Sequence, residues 1–234
     1  LEYKERKDGS GWPQGIIGDR CSIESQVVGL AVMLNESYLK KLKPRGYGTQ
    51  NLLPYVQIEI EGIDREVYNS AVEVLRANAH GHSQALPIEF LPPLANYLIV
   101  LQRFFIHWLE LAKKCAMAML DEQKTAETER SVLIISGLEE LYRNSGLWEK
   151  DIRTWLAEVS DNGDISELGE VEIIALMFES VLSKLKRLQW SMREASKYIG
   201  GEWISRCDDL ATLLYSLPKD HFEALEKYKC FENA

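Results

Sequence analysis

The most apolar stretch of the chain, residues 94–112, constrains the fold more than any other feature of the sequence. Its sequence, LANYLIVLQRFFIHWLELA, has about the length of a membrane span, but it contains Arg103, His107 and Glu110. Each of these side chains is costly inside a lipid bilayer. The stretch therefore predicts a buried helix, roughly residues 93–121, at the core of a globular protein without membrane association.

Apolar residues at helical spacing continue to the end of the chain. They predict helices near 128–143, 148–159, 170–188 and 203–217, and Pro218 opens a last helix. We therefore expect a mainly α fold with a bundle-like helical body over residues 93–234.

The region before this body mixes two patterns. Apolar residues at helical spacing predict a helix over 22–42, which Pro44 and Gly46 end. The sequence YVQIEIEG, 55–62, alternates and predicts a strand, whose partner is either the apolar run 27–34 or a strand of another subunit. Asp64 then caps a further helix.

These patterns predict a division of the chain into three parts. Residues 1–20 form a flexible arm, residues 21–92 a small α+β part, and residues 93–234 the helical body. The boundary falls in the proline-rich segment 86–93, which is predicted to be extended. The alternative is one continuous domain over 21–234.

Composition narrows the class of protein further. The chain has 234 residues, of which 46% are hydrophobic, and a formal net charge of −9. An apolar content of this size supports a folded core, while the negative charge argues against wrapping of nucleic acid by the whole surface. The four cysteines are far apart and form no CxxC motif, so we predict reduced thiols in a cytoplasmic protein, without a cysteine-built zinc site or any other cofactor.

Two basic patches are candidates for binding nucleic acid or another anion. The first lies in LKKLKPRGYG and the second in KLKRLQWSMREASK. Basic residues interleaved with an aromatic ring are typical of single-stranded nucleic-acid sites, although basic helix ends and solvated helix faces give the same pattern. The candidate residues are Lys40, Lys41, Lys43, Arg45, Lys184, Arg187, Trp190 and Arg193.

The stretch RANAHGHSQ, residues 76–84, contains an arginine and two histidines at a predicted helix end. The Arg-x5-His spacing of Arg76 and His82 resembles the signature of the HEPN ribonucleases, although Ala77 replaces the polar residue that usually follows the arginine. The resemblance implies RNA cleavage, with the histidine as acid or base and the arginine on phosphate. The alternative is an ordinary helix C-terminus with Gly81 as its left-handed cap.

Metal sites receive weaker support from the sequence. His80 and His82 could share a metal ion with His107 or Glu89 as a third ligand. The segment 158–170 resembles a calcium-binding EF-hand loop around Gly163, but its twelfth position is Gly169, where a bidentate glutamate is needed. We favour a turn with Ser166 as the N-cap of the next helix.

A complete catalytic set is missing from the sequence, which contains no glycine-rich phosphate loop, HExxH motif or dinucleotide-binding fingerprint. The sequence therefore favours a non-enzymatic helical adaptor or regulatory protein that binds another macromolecule, with a protein as partner; a homo-oligomer also fits. The first alternative is a HEPN-like nuclease that uses Arg76 and His82. The second is a nucleic-acid-binding protein without catalysis.

Overall fold

The computed structural model describes residues 4–7, 11, 16, 18–78 and 85–232. Over these residues the chain is helical and contains no strand, so the mainly α prediction is confirmed. The α-helices of this part of the chain are α1 Ile23–Ser37, α2 Leu53–Ile58, α3 Arg65–Ala77, α4 Leu91–Glu122, α5 Ala126–Ser145, α6 Lys150–Asn162, α7 Ile165–Ile199, α8 Glu202–Tyr215 and α9 His221–Glu232. Among them, none combines the length and the apolar composition that crossing a membrane requires.

The two longest helices, α4 and α7, pack against each other at the centre of the helical body. Phe105 of α4 and Phe178 of α7 are fully buried, with ring centroids 5.6 Å apart. Trp108 of α4 is equally buried, and its indole N–H donates to the carbonyl of Leu210 in α8 at 3.0 Å. The apolar stretch 94–112 therefore lies in a buried core helix, as the sequence predicts.

Capping residues begin or end several helices close to the positions that the sequence predicts. The carboxylate of Asp64 accepts the backbone N–H of Glu66 at 2.8 Å and caps α3. Gly46 ends the helical turns that follow α1, and Gly146 ends α5, with φ angles of 85° and 70°. A glycine takes this left-handed conformation without the steric cost that a Cβ atom adds.

The strand predicted at 55–62 is wrong, and the small α+β part is therefore not present. Residues 53–58 form α2, with Pro54 in its first turn, where a missing N–H costs no intrahelical bond. Gln57 and Ile60, three residues apart, are exposed, whereas the strand prediction places Ile60 on a buried face. Packing of α2 against α7 buries both Tyr55 and Val56, so burial follows a helical period instead of alternating.

The extended segment predicted at 86–93 needs a similar correction. After a short helical turn at Ile88–Phe90, α4 begins at Leu91 and contains Pro92 and Pro93 in its first turn. Proline is excluded from helix interiors because it lacks an N–H donor, but the first turn of a helix has no acceptor for that donor. The core helix therefore starts two residues earlier than the proline pattern suggests.

A calcium-binding loop, which the sequence favours less than a turn, does not occur between α6 and α7. Helix α6 continues to Asn162 and α7 begins at Ile165, which leaves no room for a loop of about twelve residues. The N-cap of α7 is Asp164, not Ser166: its carboxylate accepts the Ser166 N–H at 2.7 Å, and Glu167 accepts the Asp164 N–H at 3.0 Å. This reciprocal pair satisfies two donors of the helix start.

The N-terminal part is anchored to α7 by its own apolar cluster. Leu42, Tyr47, Leu52 and Tyr55 are buried around Leu176 of α7. The predicted boundary near residue 92 and the arm at 1–20 stay predictions, and residues 1–3, 8–10, 12–15 and 17 of the arm lie outside the described residues.

Candidate functional site

A surface cleft of about 690 Å³ lies between α1, α5, α7 and the N-terminal segment. Its walls contain the apolar side chains of Val32, Met33 and Ile134. We call it the basic cleft because, among the residues that the structure describes, five basic side chains and one acidic side chain line it. These charged residues are Lys4, Arg6, Arg130, Lys186, Arg187 and Glu36.

A buried carboxylate organises the cations beneath the basic cleft. Glu59 is 3% exposed and accepts from Arg187 at 2.8 Å, with Arg6 at 3.5 Å and Lys184 at 3.9 Å. Burial by itself would raise the pKa of Glu59, but the three cations outweigh burial and hold that pKa well below its usual range. Glu59 is thus an ion-pair partner that three cations beneath the cleft share.

Trp190 gives the basic cleft a flat apolar surface. Its side chain is 45% exposed and it lies on α7 one turn after Arg187. An exposed tryptophan beside arginine and lysine offers stacking and charge in the same place. The cleft can therefore hold a ligand that combines negative charge with a planar ring.

A second, smaller recess of about 290 Å³ continues from the basic cleft. The two share Met33, Glu36 and Arg187, and the recess adds Lys40 and Lys41. Burial lowers the pKa of Lys41.

The cations of the cleft and the recess also act on one another. Burial is the main cause that lowers the pKa of Lys186, and the positive charges of Lys41 and Lys219 lower it further. Closely spaced cations of this kind repel one another, so an anion bound between them would relieve that repulsion.

The structure brings together only part of the predicted anion-binding set. Arg187 and Trp190 line the basic cleft, and Lys40 and Lys41 line the neighbouring recess. Lys184 is buried beside Glu59, Arg45 is engaged in a buried ion pair, and Arg193 pairs with Asp208 at 2.8 Å. Lys43 is exposed and lines neither surface.

Sequence reasoning missed two arginines of the cleft. Arg6 comes from the N-terminal segment, where residues 4–7 read KERK, and Arg130 comes from α5. Their contribution depends on which helices meet at α7, and a sequence pattern does not contain that information. The useful sequence signal was an aromatic residue within a basic helical segment, because this residue is Trp190.

A buried polar network lies further along α7. Glu179 is 5% exposed and accepts two bonds from Arg45, at 2.9 and 3.1 Å, and one from the Tyr55 hydroxyl at 3.2 Å. It also pairs with Nδ1 of His221, and Arg45 reaches Asp220 at 2.8 Å. Burial alone would raise the pKa of Glu179, but His221 and Arg45 lower it to about 2.

The network extends to a second glutamate of α7. Glu172 accepts from the Tyr47 hydroxyl at 3.1 Å and from the backbone N–H groups of Ala85 and Leu86 at 3.1 and 2.9 Å. Burial raises the pKa of Glu172. Neither Glu172 nor the buried His221 lines the basic cleft or its recess, so these bonds hold the N-terminal part and α9 onto α7.

The predicted nuclease and metal residues are described only in part. Arg76 is exposed in the last turn of α3, which ends at Ala77, while His80, Gly81 and His82 lie outside the described residues. Over the described residues, no three histidine, cysteine, aspartate or glutamate side chains are grouped to hold a metal ion. The nuclease hypothesis stays a prediction.

Comparison of the chain with protein-family models, with curated proteins and with solved structures finds no match.

Proposed function

We propose that this protein is a non-catalytic binding protein whose basic cleft receives single-stranded nucleic acid. The observation that carries this proposal is the half-exposed Trp190 among five basic side chains, on a chain whose net charge is −9. Clustering cations at one place on an acidic protein directs an anion to that place.

The ring of Trp190 favours a nucleic acid over an acidic peptide. Arginine and lysine attract carboxylates and phosphates alike, so charge does not separate these two ligands. Every nucleobase, however, has a flat face that stacks on tryptophan, whereas aspartate and glutamate side chains have none. Bases are free to stack in this way in a single strand, where they are not held in a duplex.

The composition of the cleft also favours binding over cleavage. Its lining contains no histidine among the described residues, and the described histidines lie elsewhere: His107 is exposed on α4 and His221 is buried against Glu179. Acid–base cleavage of RNA needs a group that titrates near neutral pH, and histidine is the usual one. The lysines and arginines of the cleft instead supply fixed positive charge.

The test is equilibrium binding of a fluorescently labelled single-stranded oligonucleotide, roughly 12 nucleotides long, measured by anisotropy at low salt. Trp190→Ala is expected to weaken binding by about 1–3 kcal/mol through the loss of one stacked base. Arg130→Ala is expected to weaken binding less and to reduce the slope of log K against log salt by about 1.

Two exposed residues of α7 outside the cleft provide matched controls. Tyr198 is 64% exposed, and Arg193 pairs with Asp208 on the surface. Tyr198→Ala and Arg193→Ala should bind the oligonucleotide as the unaltered protein does. Equal losses in the test and control variants, or equal competition by poly-glutamate and by an unlabelled single strand, would contradict the proposal.

A further inference from the structure

Three sulfur atoms meet where α4 packs against α8, away from the basic cleft. The Sδ atom of Met119 lies 3.9 Å from Sγ of Cys115 and 4.0 Å from Sγ of Cys207. The Met119 thioether therefore contacts both thiols, and we call these three sulfur atoms the sulfur triangle. These contacts join residues that are distant in sequence.

The helices fix this triangle. Cys115 and Met119 are one turn apart on α4, a spacing that puts two side chains on the same face. Cys207 comes from α8, and both it and Met119 have 0% exposure. Cys115 is partly exposed and lines a surface recess of about 350 Å³, which gives an ion a route to the sulfurs.

The size of the triangle fits a metal ion. An ion about 2.3 Å from each sulfur, the usual length of a zinc–sulfur bond in proteins, would make an angle of about 120° with Met119 and either cysteine, which is the angle of a three-coordinate site. Thiolate and thioether sulfurs are soft ligands that select Cu(I). Structural zinc needs four ligands, and over the described residues no third histidine, cysteine or carboxylate joins the two thiols.

We propose that Cys115, Met119 and Cys207 form a three-coordinate binding site for Cu(I). Binding replaces the two thiol protons by two copper–sulfur bonds and releases both protons to solvent, while the thioether of Met119 donates a lone pair. Copper keeps its oxidation state, and no redox partner is needed. Two thiolates and one Cu(I) ion carry one net negative charge.

The recess beside Cys115 places cations near that charge. Among the described residues it is lined by Lys114 and Arg206, with Asp209 as the carboxylate.

The experiment is an anaerobic titration of the reduced full-length chain with Cu(I) against the chromogenic chelator bicinchoninate. One Cu(I) per chain should resist the chelator, and X-ray absorption should show three sulfur neighbours at about 2.3 Å. Zinc chloride titrated in parallel should not displace the bound Cu(I). Complete removal of copper by the chelator, nitrogen or oxygen neighbours, or displacement by zinc would overturn the proposal.

Single substitutions test whether the copper ion binds to these three sulfur atoms. Cys115→Ser and Cys207→Ser should lose chelator-resistant copper, and Met119→Leu should reduce the sulfur shell from three to two. Cys21→Ser is the matched control, because Cys21 is a buried cysteine outside the triangle, and this variant should retain one Cu(I). Circular dichroism checks the fold, and Cys115→Ser remains informative if the buried Cys207 variant unfolds. Unchanged copper retention in Cys115→Ser would exclude the site.

Discussion

Replacing Glu179 with glutamine is expected to lower the free energy of unfolding by about 3–5 kcal/mol, because it removes one partner of a buried ion pair. The Glu179 carboxylate accepts from Arg45 and Tyr55 and pairs with His221. Glutamine has a similar shape but no charge, so the Arg45 guanidinium keeps Asp220 as its counterion among the described residues. Urea unfolding at neutral pH measures the loss.

Glu170→Gln is the matched control for this prediction. Glu170 is also on α7, but it is exposed, so its replacement should change the free energy of unfolding by less than about 0.5 kcal/mol. A loss in Glu179→Gln no larger than in the control would show that the buried network contributes no stability.

The same carboxylate predicts how stability depends on pH. The pKa of Glu179 is lowered from its ordinary value of 4.5 to about 2 in the folded protein. A group with a depressed folded pKa contributes stability above its unfolded pKa, and that contribution is lost as the pH falls towards the folded value. Unfolding free energy should therefore fall between pH 4.5 and 2, and it should fall less steeply in Glu179→Gln.

Phe105→Ala is expected to cost about 3–5 kcal/mol of unfolding free energy, through the cavity that it leaves between α4 and α7. Phe105 is fully buried, and its ring contacts Phe178. Val100→Ala is the control on the same helix, because Val100 is 58% exposed and its truncation leaves no cavity. Similar unfolding midpoints for the two variants would mean that α4 does not form the core.

The sequence predicted those features that depend on residues close to one another. Asp64 and Gly146 act within a few residues of their helix ends, so their capping roles could be predicted before any packing was known. The strand error at 55–62 has the opposite origin. Tyr55 and Val56 are both buried because α2 packs against α7, and a contact so distant in sequence overrides the local alternation.

The residues of the basic cleft could also be predicted only where their position depends on neighbours in the sequence. Arg187 and Lys184 lie one turn apart in the same basic run, yet Arg187 lines the basic cleft and Lys184 is buried beside Glu59. Which face of α7 meets the N-terminal part decides between these two environments. Arg6 and Arg130 reach the cleft from other elements, so the basic run of α7 does not predict them.

The sulfur triangle also depends on a contact between residues that are distant in sequence. Cys115 and Met119 show the spacing of one helical turn, but Cys207 joins them only through the packing of α8 against α4. The wide separation of the cysteines argued against a metal site when the sequence was considered alone, and this argument holds only for sites built from residues that are close in sequence.

Binding of single-stranded nucleic acid in the basic cleft is tested most directly by finding where a bound strand touches the protein. A short single-stranded RNA that contains 4-thiouridine is bound at saturation and irradiated, and the crosslinked residues are located by mass spectrometry. We expect a dominant adduct on Trp190, which is lost in Trp190→Ala and kept in Tyr198→Ala. Adducts confined to residues outside the cleft, such as Lys43 or Arg193, or no adduct at saturation, would contradict this expectation.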